Sequence, residues 1–209
     1  PKVKGTSQND DIYFQATEIR NKYYYNVPNI VEKYMDKLST ITNRNYKPFD
    51  YYGDKKAEKV IIAMGSVCET IKETIDYLNQ KGEKLGLVIV RLYRPFSIKH
   101  LLKVLPNTVK KIAVLDRTKE PGSIGEPLYL DVVSALKGKN IEILGGRYGL
   151  SSKNTAPKEI KAVYDFLDNK NRFNGFTVGI KDDVSNLSID VDDTFKISDN
   201  SVSFLIYGY

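Results

Sequence analysis

The sequence predicts a three-layer α/β/α sandwich built on a mainly parallel sheet and preceded by a helical segment. Residues 55–170 contain four short apolar runs, each followed by apolar residues at helical spacing. The runs are apolar at nearly every position, which is typical of strands covered on both faces, as in a parallel sheet. Four strand–helix units in series therefore predict a doubly wound sheet with right-handed crossovers.

The first 54 residues are expected to form a helical segment and its connection to the sandwich. Across Asn9–Arg44 the apolar residues follow one another at spacings of three and four, which is the period of a helix. Pro28 lacks a backbone donor, so a kink or a junction between two helices is expected there. Residues 46–54 are polar and aromatic and contain a proline and a glycine, which predicts a loop.

Four tyrosines of the helical segment, Tyr23, Tyr24, Tyr25 and Tyr34, allow two interpretations. They could form a stacking surface for single-stranded nucleic acid. Aromatic residues at helical spacing are more often packing residues, and that is the role we expect. The chain has 32 basic and 26 acidic residues, mixed along its length. A nucleic-acid-binding face usually clusters like charges, so no nucleic-acid partner is expected.

The strands and helices of the sandwich can be placed from their apolar residues. The four strands are expected at Lys59–Met64, Leu85–Leu92, Lys111–Leu115 and Asn140–Leu144. The helices after them are marked by apolar residues within 67–78, 98–105, 129–136 and 160–167. Before the third helix, the spacing of Gly122 and Gly125 matches no nucleotide-binding motif, so we expect a tight turn with a left-handed backbone there.

Residues 171–209 are expected to hold a linker and the first strand of a further domain. Phe176–Ile180 is typical of an edge strand and is followed by a stretch rich in Asp, Ser and Asn. Residues 201–209 form an apolar, β-branched and aromatic run that is typical of a buried strand. Because little sequence remains to pair with that strand, we expect the chain to be a piece of a longer polypeptide.

A candidate anion site follows from the predicted sheet. In open parallel sheets, ligands bind beyond the carboxyl ends of the strands. Gly65 and Ser66 follow the first predicted strand, and Arg117 follows the third. Backbone amides at a glycine-opened helix start can hold a phosphate or carboxylate together with an arginine. An anion- or coenzyme-binding module is therefore the alternative function that the residues themselves suggest.

The charged residues at the strand ends favour structural roles. Asp116 and Arg117 are expected to form an ion pair within the domain or with a neighbouring one, with a catalytic Asp116 as the alternative. Arg91 and Arg94 flank a strand end and are expected to meet acidic neighbours. No catalytic residue is predicted among them.

One cysteine and one histidine limit the chemistry of this chain. A lone thiol forms no intrachain disulfide and supplies no CxxC site for zinc or an iron–sulfur cluster, so no metal ligand is predicted. Cys68 lies near a predicted helix start, which can lower a thiol pKa, but no base lies nearby in sequence. We expect Cys68 to be buried and inert, and His100 to lie solvated on the polar side of a short helix.

The composition and the apolar runs also indicate the cellular compartment in which the chain is expected. No apolar run approaches the ~18 residues of a membrane span, so no membrane partner is expected. No charged start leads into an apolar signal segment, and the low cysteine content is consistent with a reducing compartment. We expect a soluble chain.

Seven strings, in order over roughly residues 5–180, resemble the pyruvate:ferredoxin (flavodoxin) oxidoreductase family. The strings are Gly5–Gln15, Val60–Gly65, Val90–Phe96, Ala113–Gly122, Gly125–Tyr129, Gly145–Leu150 and Asn174–Ile180. Ala113–Gly122 is the most family-like of them. A departure occurs at Ser7, where alanine is expected, and the stretch after Asp183 matches poorly.

The resemblance implies a piece of a larger enzyme. The family's intact chain oxidatively decarboxylates pyruvate to acetyl-coenzyme A on thiamine diphosphate and magnesium. It passes electrons through 4Fe–4S clusters to ferredoxin or flavodoxin. Residues 55–170 then correspond to the second domain, which is similar to the carboxyl-terminal domain of transketolase, and residues 1–54 to the end of the preceding domain.

The resemblance also implies what this piece lacks. The family's thiamine, magnesium and cluster ligands lie in other domains, so it implies no catalytic, cofactor or metal residue here. The expected role is a structural domain that packs against other domains of the same polypeptide and helps to form a homodimer. The expected location is the cytoplasm, or a hydrogenosome-like organelle if the source is an anaerobic protist.

Overall fold

The computed structural model describes residues 7–198, 206 and 208, and its centre is a six-stranded sheet. The strands are β1 (Phe49–Gly53), β2 (Lys59–Ala63), β3 (Leu85–Val90), β4 (Lys111–Asp116), β5 (Glu142–Arg147) and β6 (Phe176–Thr177). They lie in the order β1-β3-β2-β4-β5-β6. Only the β1–β3 pair is antiparallel, which confirms the mainly parallel sheet.

Helices cover both faces of this sheet. They are α1 (Asp10–Glu18), α2 (Asn21–Tyr24), α3 (Val27–Thr42), α4 (Val67–Gln80), α5 (Ile98–Val104), α6 (Pro127–Ala135) and α7 (Pro157–Phe166). Buried side chains of α4 and α7 form one core with the sheet, and those of α5 and α6 form another. The predicted α/β/α sandwich, with α1 to α3 ahead of it, is confirmed.

The two cores explain why the strands are apolar at nearly every position. Side chains of a strand alternate between its two faces. In β2, Ile61 and Ala63 point to the core of α4 and α7, whereas Val60 and Ile62 point to the core of α5 and α6. All four side chains are fully buried. A strand that is buried on both sides has no position for a polar residue.

The predicted loop at residues 46–54 is wrong, because the structure forms strand β1 there. Phe49 is 1% exposed and packs edge-on against Phe96 at a centroid distance of 5.3 Å. Asp50 forms an ion pair with Arg91, which follows β3. The strand is stabilised by its antiparallel pairing with β3. Its own sequence contains no apolar run that would predict a strand.

Strand β5 extends beyond its predicted end at Leu144. The other three predicted strands end within two residues of the observed ends, but β5 continues through Gly145 and Gly146 to Arg147. A Cβ atom at Gly146 would lie 2.3 Å from the ring of Phe176, and one at Gly145 would lie 2.9 Å from the ring of Tyr129. The glycines therefore make room for aromatic rings against the strand rather than ending it.

The helical segment is divided into separate helices near Pro28, as the sequence predicts, but it buries fewer side chains against the sandwich than expected. Pro28 lies in the first turn of α3, where its missing donor costs nothing, and α2 ends just before it. The four tyrosines do not pack against the sandwich. Tyr23, Tyr24, Tyr25 and Tyr34 are between 57% and 78% exposed among the described residues, so a packing role for them within this chain is not observed.

Helix α3 is held to the sandwich by a polar cluster around a buried histidine. The Glu32 carboxylate lies 3.2 Å from Nε2 of His100 and 3.3 Å from Nζ of Lys103. Nδ1 of His100 lies 2.6 Å from Oγ of Ser97, and the imidazole is only 4% exposed. The predicted solvated position of His100 is therefore wrong. The imidazole is covered by α3, whose Glu32 lies 68 residues earlier in the sequence.

The same cluster changes the acidity of Glu32. Burial alone would raise the pKa of Glu32, but hydrogen bonds from His100 and Lys103 outweigh it and hold the pKa below its usual range. The carboxylate therefore stays charged where α3 meets α5.

The chain after β6 runs along the outside of α4 and α7. β6 has two residues, shorter than the expected strand at Phe176–Ile180, with a bridge between Thr177 and Ser188. The ring of Phe195 packs edge-on against Tyr77 at 5.6 Å. The strand expected at 201–209 lies outside the described residues, apart from Ile206 and Gly208. None of the described helices is long and apolar enough to cross a membrane.

Replacing Glu32 should loosen α3 without unfolding the sandwich. In Glu32→Gln, His100 and Lys103 lose their charged partner, and we expect a loss of about 1 kcal/mol in the docking of α3. Amide hydrogen exchange should then become about fivefold faster in α3 than in the wild-type chain, with α7 unchanged.

Glu58→Gln is the matched control. Glu58 pairs with Lys110, and both side chains are more than half exposed, so its removal should change little. Equal exchange in α3 for the two variants would contradict the role of the Glu32 cluster.

Candidate functional site

The strand order places a switch in chain direction between β2 and β4. From β2 the chain first moves to β3 on one side, and then crosses back to β4 on the other side. In doubly wound sheets this reversal leaves a crevice beyond the carboxyl ends of the two strands, and ligands bind there. In this chain, Gly65 and Ser66 follow β2 and Arg117 follows β4.

The structure brings the three predicted residues together at this switch. Ser66 and Arg117 line a cavity of about 290 Å³, which we call the polar cavity. With Gly65 they also line a second cavity of about 360 Å³, which we call the apolar cavity. Tyr148 lines both, and burial raises the pKa of its hydroxyl to about 12. That these residues bind an anion stays a prediction.

Arg117 does not form an ion pair with Asp116, and the alternative of an ion pair with a neighbouring domain stays a prediction. Its Nε donates to the carbonyl oxygen of Gly149 at 2.8 Å. Gly149 has a φ of 60°, in the left-handed region, which lets the chain turn back over the end of β4. Asp116 and Arg117 are adjacent at a strand end, so their side chains leave in opposite directions.

Asp116 instead caps the first turn of α6. Its two carboxylate oxygens each accept a hydrogen bond at 3.0 Å, one from the backbone N–H of Leu128 and the other from that of Tyr129. These donors would otherwise lack a partner in the helix. Burial raises the pKa of Asp116, although the two hydrogen bonds act in the opposite direction. With both oxygens engaged, the geometry favours a structural role over the catalytic alternative.

Cys68 is buried, as predicted. The residue is 2% exposed in the first turn of α4, and it belongs to the core of α4 and α7. Burial raises the pKa of its thiol to about 11, so the helix start does not activate it. Chemically, Cys68 behaves as a small apolar residue.

The two arginines near the end of β3 meet acidic neighbours, as predicted. Arg91 pairs with Asp50 of β1, and Arg94 pairs with Asp131 of α6. The Arg94 guanidinium also lies over the ring of Tyr93, 3.9 Å from its centroid. These pairs tie the ends of neighbouring elements together.

The predicted turn before α6 is present, since Gly122 has a φ of 80°. The amide of Ser123 donates to the carbonyl oxygen of Glu120 at 3.1 Å, which closes the turn. The left-handed backbone of Gly122 therefore serves this turn, as predicted.

Sequence reasoning assigned no site residue in the loop after β5, although residues of that loop complete the polar cavity. Lys153 and Thr155 lie in the segment after β5, and they line the same cavity as Ser66. Gly149 was a visible sign of a turn, but Ser151 and Ser152 also take positive φ values of 53° and 60°, which no residue pattern indicates. No three His, Cys, Asp or Glu side chains within the described residues are grouped to hold a metal ion.

The comparisons with known proteins agree with the resemblance in the sequence. Residues 57–160 match the family model described as pyruvate:ferredoxin oxidoreductase core domain II. The putative pyruvate-flavodoxin oxidoreductase of Synechocystis sp. is 52% identical over 211 residues, which cover all of this chain. The chain belongs to the pyruvate:ferredoxin oxidoreductase family. A pyruvate-flavodoxin oxidoreductase of Trichormus variabilis is 53% identical over 214 residues, again across the whole chain.

A further relative in this family is the pyruvate:ferredoxin oxidoreductase of Moorella thermoacetica, 56% identical over 193 residues and 91% of this chain. The matched parts are only 18%, 18% and 16% of these three relatives, so the chain spans less than a fifth of their length. Among solved structures, a 2-oxoglutarate:ferredoxin oxidoreductase from Magnetococcus marinus aligns with 62% of this chain and 20% of its own. The alignment has 16% identity and a TM-score of 0.40, too slight to support a conclusion.

The free energy of unfolding should depend on pH through Asp116, and the direction of its pKa shift gives the sign of that dependence. Because burial raises its pKa above 3.8, ionising Asp116 costs more in the folded chain than in the unfolded chain. Its contribution to the free energy of unfolding is therefore largest near pH 4 and falls as the pH rises through the raised pKa. We expect Asp116→Asn to be about 1–2 kcal/mol less stable near pH 4, and the gap to narrow towards about pH 7.

Urea unfolding at a series of pH values measures this gap. Asp165→Asn, at an exposed carboxylate on α7, controls for the loss of one charge. A gap that stays constant or widens with rising pH would contradict the assignment of Asp116 as a buried cap.

The thiol of Cys68 should resist alkylation in the folded chain. With a pKa of about 11, only about one thiol in a thousand is ionised at pH 8, and the residue is buried. We expect iodoacetamide to label the native chain at least about a hundredfold more slowly than the urea-unfolded chain. Val184→Cys in a Cys68→Ala background gives the exposed comparison, since Val184 is 98% exposed. Equal labelling of Cys68 and of that variant would show the thiol to be accessible.

Proposed function

We propose that this chain is a structural domain of a larger pyruvate-oxidising enzyme, and that it holds neighbouring domains in place without supplying reacting groups. The observation that carries the proposal is a set of large apolar side chains around α1 to α3 that the described residues leave at least 45% exposed, on more than one side of α1 and α2. We call it the helical face. Its members are Ile12, Tyr13, Phe14, Ile19, Tyr23, Tyr24, Tyr25, Ile30, Tyr34, Leu38 and Ile41, all at least 45% exposed.

Helix α1 shows that this face is built to be covered. It has nine residues and buries none of them. Helices shorter than ~12 residues are marginal in water unless they pack an apolar face. Ile12 and Phe14 are 53% and 69% exposed, so α1 has the side chains for packing but no partner among the described residues.

Helix α3 carries both a packed face and an open face. Pro28 is buried, and Glu32 meets His100 of the sandwich. Ile30, Tyr34 and Ile41 lie on the other side and are 45%, 62% and 82% exposed. An amphipathic surface helix normally turns polar residues outward. The reversed pattern supports a position between the sandwich and a further layer of protein.

The relatives suggest what that further layer is. They are more than five times as long as the matched segment, so most of such an enzyme lies outside this chain. We propose that residues 1–54 complete the preceding domain, that residues 55–170 form a domain of their own, and that residues 171–209 lead into the next one. The helical face then packs against the preceding domain.

For the intact enzyme, the names of the relatives support the oxidation of pyruvate with electron transfer to ferredoxin or flavodoxin. We propose that its thiamine diphosphate, magnesium, 4Fe–4S clusters and coenzyme A are bound by its other domains. A homodimer in the cytoplasm is the proposed assembly.

A chimera tests this proposal directly. This chain would replace the matching segment of the Trichormus variabilis enzyme, to which it is 53% identical. We expect the chimera to reduce flavodoxin with pyruvate and coenzyme A, whereas the 209-residue chain alone shows no turnover. Turnover by the chain alone would contradict a purely structural role.

The helical face is tested in the same chimera. Ile41→Glu places a charge on the proposed interface and should lower the yield of assembled, active enzyme by about tenfold or more. Val184→Glu, at a residue 98% exposed outside the face, should leave assembly unchanged. Equal behaviour of the two variants would show that the face is not an interface.

A further inference from the structure

We propose that the two cavities at the strand-order switch bind a small ligand that carries a phosphate group and an apolar or aromatic part. The phosphate would occupy the polar cavity, and the remainder the adjoining apolar cavity. This site is separate from the helical face, and the proposal does not depend on the structural role described above.

The charges around the polar cavity support an anionic occupant. Arg117 and Lys153 both line it, and no acidic side chain does. Within the described residues neither cation takes part in an ion pair. Most other arginines of the sandwich are neutralised, such as Arg91 by Asp50 and Arg147 by Glu126. Lys153 also borders a second cavity that Glu159 and Asp193 line, so Arg117 is the cation that belongs to the polar cavity most clearly. Cations without a salt-bridge partner at one cavity raise the local concentration of anions.

The guanidinium of Arg117 is held in a position suited to phosphate. Its Nε is fixed by the carbonyl oxygen of Gly149 at 2.8 Å. The structure shows no hydrogen bond from either Nη to a described residue, and Arg117 lines both cavities. Two parallel N–H donors in a fixed plane match two oxygens of a phosphate.

Neutral donors complete the lining of the polar cavity. The side chains of Ser66, Thr70, Asn154 and Thr155 surround the same space of about 290 Å³. Hydroxyl and amide groups can turn their hydrogens towards an anion, which a carboxylate could not do. Ser66 comes from the start of α4, but the charges come from β4 and from the loop after β5.

The apolar cavity indicates the rest of the ligand. Its volume is about 360 Å³, and it shares Ser66, Arg117 and Tyr148 with the polar cavity. Its other lining includes Met64, Tyr93, Leu115 and Pro127. Asp116 also borders it, but α6 engages both carboxylate oxygens. Apolar and aromatic walls beside a cationic end are typical of sites for small organic anions.

Isothermal titration calorimetry on the 209-residue chain tests the site with three probes. ADP carries both parts, inorganic pyrophosphate carries only the charge, and adenosine carries only the aromatic part. We expect ADP to bind more tightly than pyrophosphate and adenosine to give no heat. No heat from ADP at millimolar concentration, or equal binding of adenosine, would overturn the proposal.

Variants of the lining residues locate the binding. Arg117→Ala and Lys153→Ala should each weaken ADP binding by at least about tenfold. Arg117→Lys should weaken it almost as much, because the paired donors are lost. The side chain of Lys153 makes no hydrogen bond or ion pair to a described residue, and its backbone N–H, which donates to Leu150, is kept in Lys153→Ala. Lys153→Ala should therefore fold normally even if Arg117→Ala does not. Lys139→Ala removes an exposed lysine after α6 and is the control. Unchanged affinity in Lys153→Ala would overturn the proposal.

The chimera separates a ligand site from a contact between domains. If the polar cavity holds a ligand, ADP should bind to the chimera and to the chain with similar affinity, and Lys153→Ala should weaken both. ADP binding that Lys153→Ala leaves unchanged in the chimera would belong to the other domains, which we propose bind coenzyme A. ADP binding to the isolated chain but not to the chimera would show that a neighbouring domain fills the cavity, and would overturn the proposal. Either result is independent of whether the chimera turns over pyruvate.

Discussion

The pairing of β2 with β3 on one side and β4 on the other is the contact on which the rest of the structure depends. It leaves β2 with no free edge, and Val60, Ile61 and Ile62 are completely buried. Both cores start from these side chains, one on each face of the sheet. The same pairing sets the ends of β2 and β4 side by side, so it also creates the two cavities between Ser66 and Arg117.

The sequence predicts those parts of the fold whose stability comes from their own residues. β2 and β4 are apolar runs, and burial of such runs on both faces requires a parallel sheet covered by helices. β1 escapes prediction because its hydrogen bonds come from β3 and its single deeply buried residue is Phe49. His100 escapes prediction for a similar reason, since Glu32 lies 68 residues away. Contacts between distant segments leave no local pattern.

The candidate site shows the same division. A general rule about strand ends predicts the positions of Gly65, Ser66 and Arg117, and the structure places all three at one apolar cavity. The rule does not predict that Lys153 lines the polar cavity, because Lys153 lies in an irregular loop in which two serines have positive φ values. The ion pair expected for Asp116 and Arg117 fails because neighbouring residues in a strand point to opposite sides. Adjacency in sequence is poor evidence of contact in an extended chain.

The paired glycines of β5 have a consequence for how this sheet ends. The ring of Phe176 lies where a side chain at Gly146 would be, and β6 is an edge strand of only two residues. A Cβ atom at that position would meet the ring at 2.3 Å, so the ring of Phe176 or the strand that carries it would have to shift away from β5. Unpaired strand edges recruit strands from other molecules. The missing side chain at Gly146 therefore lets β6 lie against β5 and occupy backbone groups that would otherwise form such an edge.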